Sequence, residues 1–233
     1  MDNEVNQFLR ARLNDDYYDK FMYSHDSGRR IRPLMIQKIC ERFGKDFGSM
    51  SKAAAAIEIL HCASLMHDDI IDNDETRRGK AAFHKKFSLK EAVLYGDYFA
   101  TLSSELIAEY YPKRVNQTFV KAIRQIIEGQ IMEVNGINDV DTYIEYIKKK
   151  TGSLFYLSAS IPMLVFKLDN KNILNFGREF GIAFQIANDL KKKVKEQFSI
   201  LKFVSRKEAE RLLTERVNYI NSLNILPVES LGF

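Results

Sequence analysis

EILHCASLMHDDIIDNDETRRGK, residues 58–80, begins as an apolar helix and ends in a crowd of charges. Leu60, Ala63, Ser64 and Leu65 give it the apolar character of a helix covered on most sides. Asp68 and Asp72 are four residues apart, so they lie one above the other on one face, with Asp69 beside Asp68 on the same turn. Three carboxylates at the end of an otherwise buried helix repel one another, so a positive partner is expected. Hard carboxylate oxygens suit Mg²⁺, which keeps several waters and usually shares its shell with phosphate oxygens. The plainer alternative is a solvated acidic helix end, paired with Arg77 and Arg78 just downstream.

Upstream, SGRRIRP (27–33) sets Arg29, Arg30 and Arg32 between a glycine and a proline, the mark of a turn entering a helix. Guanidinium forks match phosphate oxygens two at a time, and a helix N-terminus adds backbone donors. A basic turn of this kind is also often no more than solvated. Downstream, KKKTG (148–152) closes another predicted helix, where lysines also complement the helix dipole. A second long apolar helix ends in FQIANDLKK (184–192). Two apolar helices tipped with ligands of the Mg²⁺ type, together with several cationic turns, suit a substrate with a diphosphate head and a greasy tail.

Apolar residues keep helical spacing over almost all of the chain. Helices are predicted at roughly 2–23, 31–43, 50–74, 89–110, 114–136, 140–151, 153–166, 170–191 and 206–222. Only 11 Gly and 4 Pro occur in 233 residues, too few for a β-rich chain of this length. A hydrophobic fraction of 45% with 28% charged residues excludes disorder. The expected class is all-α, with residues 1–233 as a single domain. The net charge of +4 gives no argument for a nucleic-acid partner. Nine Lys and Arg face four Glu between residues 191 and 216, so the positive excess is local.

Cys40 and Cys62 sit among apolar residues and read as buried thiols in a reducing, cytoplasmic setting. The first residues, MDNEVNQFLRARLNDD, lack the apolar core of a secretory signal. The uncharged run Ser153–Phe166 is shorter than a membrane span and reads as a buried helix.

Taken in order, these pieces resemble the trans-isoprenyl (polyprenyl) diphosphate synthase family. SGRRIRP resembles the family's GGKRxRP. His61 followed by Ser64 to Asp72 and then Arg77-Arg78-Gly79 resembles its first aspartate-rich motif. Gly96-Asp97, Gly129-Gln130 and Lys150-Thr151 resemble its GD, GQ and KT pairs, although Glu133 stands where Asp is usual. GIAFQIAND, residues 181–189, resembles the helix that bears the second aspartate motif. The resemblance implies a helical bundle around a central apolar cavity, usually a homodimer. It also implies extension of an allylic diphosphate, such as farnesyl diphosphate, by isopentenyl diphosphate.

By the same resemblance, Asp68, Asp69 and Asp72 would hold Mg²⁺ on the allylic diphosphate, with Asp189 as a ligand from the second motif. Arg77 and Lys150 would contact that diphosphate. Arg29, Arg32, His61 and Arg78 would hold isopentenyl diphosphate, while Gln185 and Thr151 would line the site. The chemistry needs these residue types. Ionisation leaves an allylic cation and a diphosphate anion; cations stabilise the anion, and apolar walls keep water from the cation.

Chain length should depend on residues about one turn below the carboxylates. Ala63 and Ser64 there are small, and Leu60 is the only plausible plug on that face before Ala56. The expected product is long, roughly six to ten isoprene units judged from the helix rise, of the kind used as quinone side chains. Small residues also simply allow close helix packing, and Tyr98 and Phe99 could supply a floor instead. A greasy product implies peripheral membrane contact on release.

The second motif departs from DDxxD: its positions are Asn188, Asp189 and Lys192. The stretch after Asp189 is shorter than in the family and carries no GSD element, with Lys191–Lys193 as a possible remnant of the Lys-rich loop. Two alternatives therefore stand beside an active synthase. One is a weak or silent subunit of a hetero-oligomeric synthase. The other is a non-enzymatic binding protein on the same fold.

Overall fold

The computed structural model describes residues 2–26, 28–191 and 199–233. Eleven α-helices occur among them: α1 Asp2–Arg12, α2 Asp15–His25, α3 Ile31–Arg42, α4 Ser51–Ile71, α5 Phe83–Lys86, α6 Leu89–Tyr110, α7 Lys113–Asn135, α8 Val140–Lys150, α9 Gly152–Val165, α10 Asn172–Lys191 and α11 Arg206–Ser222. A hairpin of two-residue strands, β1 Thr76–Arg77 and β2 Lys80–Ala81, is the only sheet among the described residues. The all-α expectation holds. No described helix is long and apolar enough to cross a membrane. The chain divides into two compact units: Met1–Pro33 with Asp46–Asn116, and Leu34–Lys45 with Gln117–Phe233.

In the first unit, α4 lies along α6. Ala53–Ala56 combine the highest helix propensity with complete burial, so α4 forms readily and packs closely. Its start has no side-chain cap; instead Ala53 N–H donates to the Tyr111 phenol at 3.0 Å, and that phenol donates to Ser49 O. The hairpin after it turns on Arg78 (φ 54°) and Gly79 (φ 79°), both left-handed, as a two-residue turn that matches strand twist requires.

The predicted helix 2–23 is two helices. Asn14 caps α2, its side chain accepting from Tyr17 N–H at 3.0 Å, and that local bond outcompetes continuation of the apolar pattern. The aromatic rings of Tyr17, Phe21, Tyr95, Tyr98 and Phe99 then pack edge to face or stacked beside α6.

The second unit is built on α9 and α10, with α11 against α10. Helix α9 is the run read as a buried helix, and its first eleven residues are buried apart from Tyr156. Two of its buried hydroxyls are satisfied within the helix: Ser158 Oγ donates to Leu154 O at 2.8 Å and Ser160 Oγ to Tyr156 O at 2.6 Å. Tyr143, Tyr146, Ile147, Ile182, Ile186 and Ile200 form a buried cluster that fixes α8 against α10. Cys40 and Cys62 are both buried and form no disulfide.

Candidate active site

Asp68 and Asp72, at the end of α4, bring carboxylate oxygens within 4.8 Å of each other. Asp72 is exposed and Asp68 partly so. Asp69 faces elsewhere. It is buried, and Arg77 Nε donates to its Oδ1 at 2.6 Å while a second Arg77 nitrogen pairs with the same oxygen. The same guanidinium donates to Asp74 at 2.6 Å and lies 3.9 Å from Asp68. Burial raises the Asp69 carboxyl above the ordinary carboxylate range, outweighing the Arg77 pair.

Several arginines and an imidazole share the neighbourhood of the 28–33 turn. Arg32 is half-buried, and burial, opposed by Glu58 but reinforced by Arg78 and Arg29, brings its pKa down to about 10. His61 is pushed well below its usual pKa by burial first and then by Arg32, Arg78, Arg77 and His25, so its imidazole is neutral at physiological pH. Tyr23, Asp26, Asp69, Arg77, Arg78 and Lys80 line a shallow polar pocket beside the hairpin. Tyr23 OH donates to Ala81 O at 2.6 Å and Lys80 pairs with Asp26, which hold the hairpin there. The sequence-predicted residues Arg29, Arg32, His61, Arg77 and Arg78 are thus brought together electrostatically. Below the carboxylates, Ala63 at about one turn and Leu60 at about two are buried, and half-buried Ser64 donates to His61 O at 2.8 Å.

In the second unit Lys150 is held by Glu133, with Nζ 2.5 Å from Oε2. Gln130 Nε2 donates to the same oxygen at 2.7 Å, and the Tyr146 phenol donates to Oε1. Gly129 explains how α7 and α8 come so close: a Cβ there would lie 2.6 Å from the Lys150 backbone nitrogen. Thr151 Oγ1 donates to Gln185 Oε1 at 3.1 Å, and Gln185 Nε2 donates to Asp189 Oδ1 at 2.9 Å. Asp189 is fully buried. Its Oδ2 accepts from the Tyr143 phenol and from Ile200 N–H at 2.9 Å. Lys192, the last position of the second motif, lies outside the described residues.

The polyprenyl synthetase family model fits residues 15–205. This chain belongs to the polyprenyl synthetase family. It is 38% identical over 200 residues to a geranylgeranyl diphosphate synthase of Saccharolobus solfataricus, covering 80% of this chain and 60% of the relative. It is 29% identical over 198 residues to an octaprenyl diphosphate synthase of Haemophilus influenzae, again 80% of this chain and 60% of the relative. The chain thus spans 60% of the length of each of these curated relatives. The solved geranyltranstransferase of Thermotoga maritima superposes with a TM-score of 0.88 at 26% identity, covering 99% of this chain and 94% of that one. This places the polyprenyl synthetase chain in the isoprenoid synthase fold.

Three groups of this polyprenyl synthetase lie outside the motifs that the sequence displays. Asp74 and Tyr146 hold Arg77 and Glu133. Glu58 is the third. A lone carboxylate within an apolar helical run signals a buried partner, and that signal is present in the sequence.

Proposed function

We propose that this chain is a prenyltransferase that condenses isopentenyl diphosphate, head to tail, onto an allylic diphosphate such as farnesyl diphosphate. The observation that carries this reading is a convergence of cations beside α4: the Arg30 and Arg78 guanidiniums meet over Gly28, and Arg32, Arg78 and Arg77 all act on His61, on the helix that ends in Asp68 and Asp72. So much like charge gathered in one place is a site for a polyanion.

Arg29, Arg32 and Arg78 would bind the diphosphate of isopentenyl diphosphate, with His61 as a neutral hydrogen-bonding partner. Arg77 would meet the allylic diphosphate, as would Lys150, with Thr151 and Gln185 lining that site. Asp68 and Asp72 fit Mg²⁺, since both offer hard oxygens at close range. Bound there, Mg²⁺ would supply Lewis-acid stabilisation of the leaving diphosphate. The residues themselves orient the two substrates and hold the departing anion while apolar walls exclude water. Residues 1–233 would act as one catalytic domain, in the cytoplasm.

Small Ala63 and Ser64 support a long all-trans product, roughly six to ten isoprene units by helix rise, of the type carried by quinones. Such a product would leave by peripheral contact with a membrane. Helix α7 exposes Val120, Ile127, Ile131 and Val134 along one face, which supports a second copy of the chain as its cover, a homodimer.

Asp189 favours a second reading, a weak or silent subunit of a hetero-oligomeric synthase. Its carboxylate already accepts from Tyr143, Ile200 and Gln185 and follows Asn188, so it offers little to a metal. The test is extension of farnesyl diphosphate by labelled isopentenyl diphosphate with Mg²⁺. A ladder ending at one long chain supports the synthase; no incorporation by folded protein overturns it in favour of the subunit.

A further inference from the structure

We propose that Glu58 is a positioning residue for isopentenyl diphosphate: it anchors Arg30 and thereby sets the neighbouring arginines of the 28–33 turn. The inference rests on the prenyltransferase reading and deepens it. Glu58, His61 and Cys62 occupy one face of α4, three and four residues apart. Glu58 is 3% exposed, and a carboxylate so buried persists only when paired. Its Oε2 lies 3.8 Å from Arg30 Nη1. The influence of Glu58 reaches further: it favours the charged form of Arg32 and, after burial, helps push the Cys62 thiol up to about 12.

Arg30 has φ 54°, a left-handed backbone that a residue with a long side chain seldom adopts. Its guanidinium lies over Gly28, where an added Cβ would collide with it and come within 2.9 Å of Arg78. Arg30 therefore stands within ion-pair range of Glu58, with Arg29 and Arg32 on either side of it in the turn. Without the buried carboxylate the turn would lose its anchor, and Arg30, Arg32 and Arg78 would repel one another. The negative charge of Glu58 thus keeps a cationic diphosphate site assembled before the ligand arrives.

Calorimetric titration with isopentenyl diphosphate, run beside the extension assay, tests this. Glu58→Gln should raise the dissociation constant roughly tenfold or more and raise KM for isopentenyl diphosphate by the same factor. The KM for the allylic substrate should stay within about twofold. Glu58→Asp should recover most of the loss. Arg30→Gln should reproduce it, and the double variant should be no worse than either single one, because both remove the same pair. Wild-type affinity in Glu58→Gln would overturn the proposal, as would equal changes for both substrates. The double variant removes both charges and strands neither, so it decides the matter if either single variant fails to fold. Wild-type protein that binds isopentenyl diphosphate but extends nothing would overturn the enzymatic reading and leave Glu58 to be judged on affinity.

Discussion

Arg77 Nε donates to Asp69 Oδ1 at 2.6 Å, so the middle carboxylate of the aspartate motif answers a guanidinium, while Asp68 and Asp72 share the helix face. The motif therefore divides its labour. On the proposed reading, Asp68→Ala should lower turnover by a factor of about 100 or more with the fold intact, because it would remove a ligand for the cation on the diphosphate. Asp69→Ala should act on stability instead, costing about 2 kcal/mol, since it strips a partner from a partly buried guanidinium that keeps Asp74. Turnover and denaturant unfolding measured on both variants would separate the roles. Equal loss of turnover at unchanged stability would show that Asp69 also meets the metal.

Lys150 depends on Glu133 in the same way. A buried carboxylate with Gln130 and Tyr146 as further donors holds the ammonium in one place. Lys150→Ala should raise KM for the allylic diphosphate roughly tenfold and leave KM for isopentenyl diphosphate unchanged. Tyr146→Phe removes a donor from Glu133 and should cost about 1 kcal/mol of stability. Steady-state kinetics with each substrate varied in turn would expose any misassignment: a rise in both KM values would mean that Lys150 serves the site as a whole.

His61 gives a dependence on pH. Burial and the surrounding arginines hold its folded pKa well below 6.5. As pH falls through about 6.5, the unfolded chain takes up a proton that the folded chain refuses, so stability is lost on acidification and continues to fall towards the folded pKa. His61→Asn should flatten the fall in melting temperature between pH 7.5 and pH 5.5, a window set about the usual histidine value. Identical slopes in the two proteins would show that the imidazole is not a source of the acid sensitivity.

Long apolar periodicities are legible in the sequence: α6 and α11 have the predicted boundaries, and the other long helices differ by a few residues. What escapes is local. The break at Asn14 depends on one side-chain hydrogen bond that competes with a continuous apolar pattern. The hairpin at Arg78-Gly79 has strands too short to show any alternation. The candidate site divides similarly. Residue types in order indicate Asp68, Asp72, Arg32 and Lys150. They do not show that Asp69 turns to Arg77 or that Asp189 is enclosed by Tyr143 and Ile200, because such pairings join residues through the fold rather than through spacing. Glu58 lies between these cases, conspicuous as a charge in an apolar run yet given a partner only by the placement of Arg30.

The burial of α4 also sharpens the test of product length. Ala63 is 1% exposed, so a phenylalanine there would overpack the helix contacts and cost about 1–3 kcal/mol before it reached any substrate. Ser64 is half-buried and its hydroxyl only returns to His61 O, so it can be replaced with less strain. Ser64→Phe should shorten the product to a single smaller chain while keeping turnover within about tenfold, since the ring blocks the path of the tail and leaves the charged groups one turn above untouched. Sizing the dephosphorylated products of the variant against those of the wild type decides it. An unchanged length would move the floor to another wall, with buried Phe99 and its neighbour Tyr98 as the next residues to reduce in size.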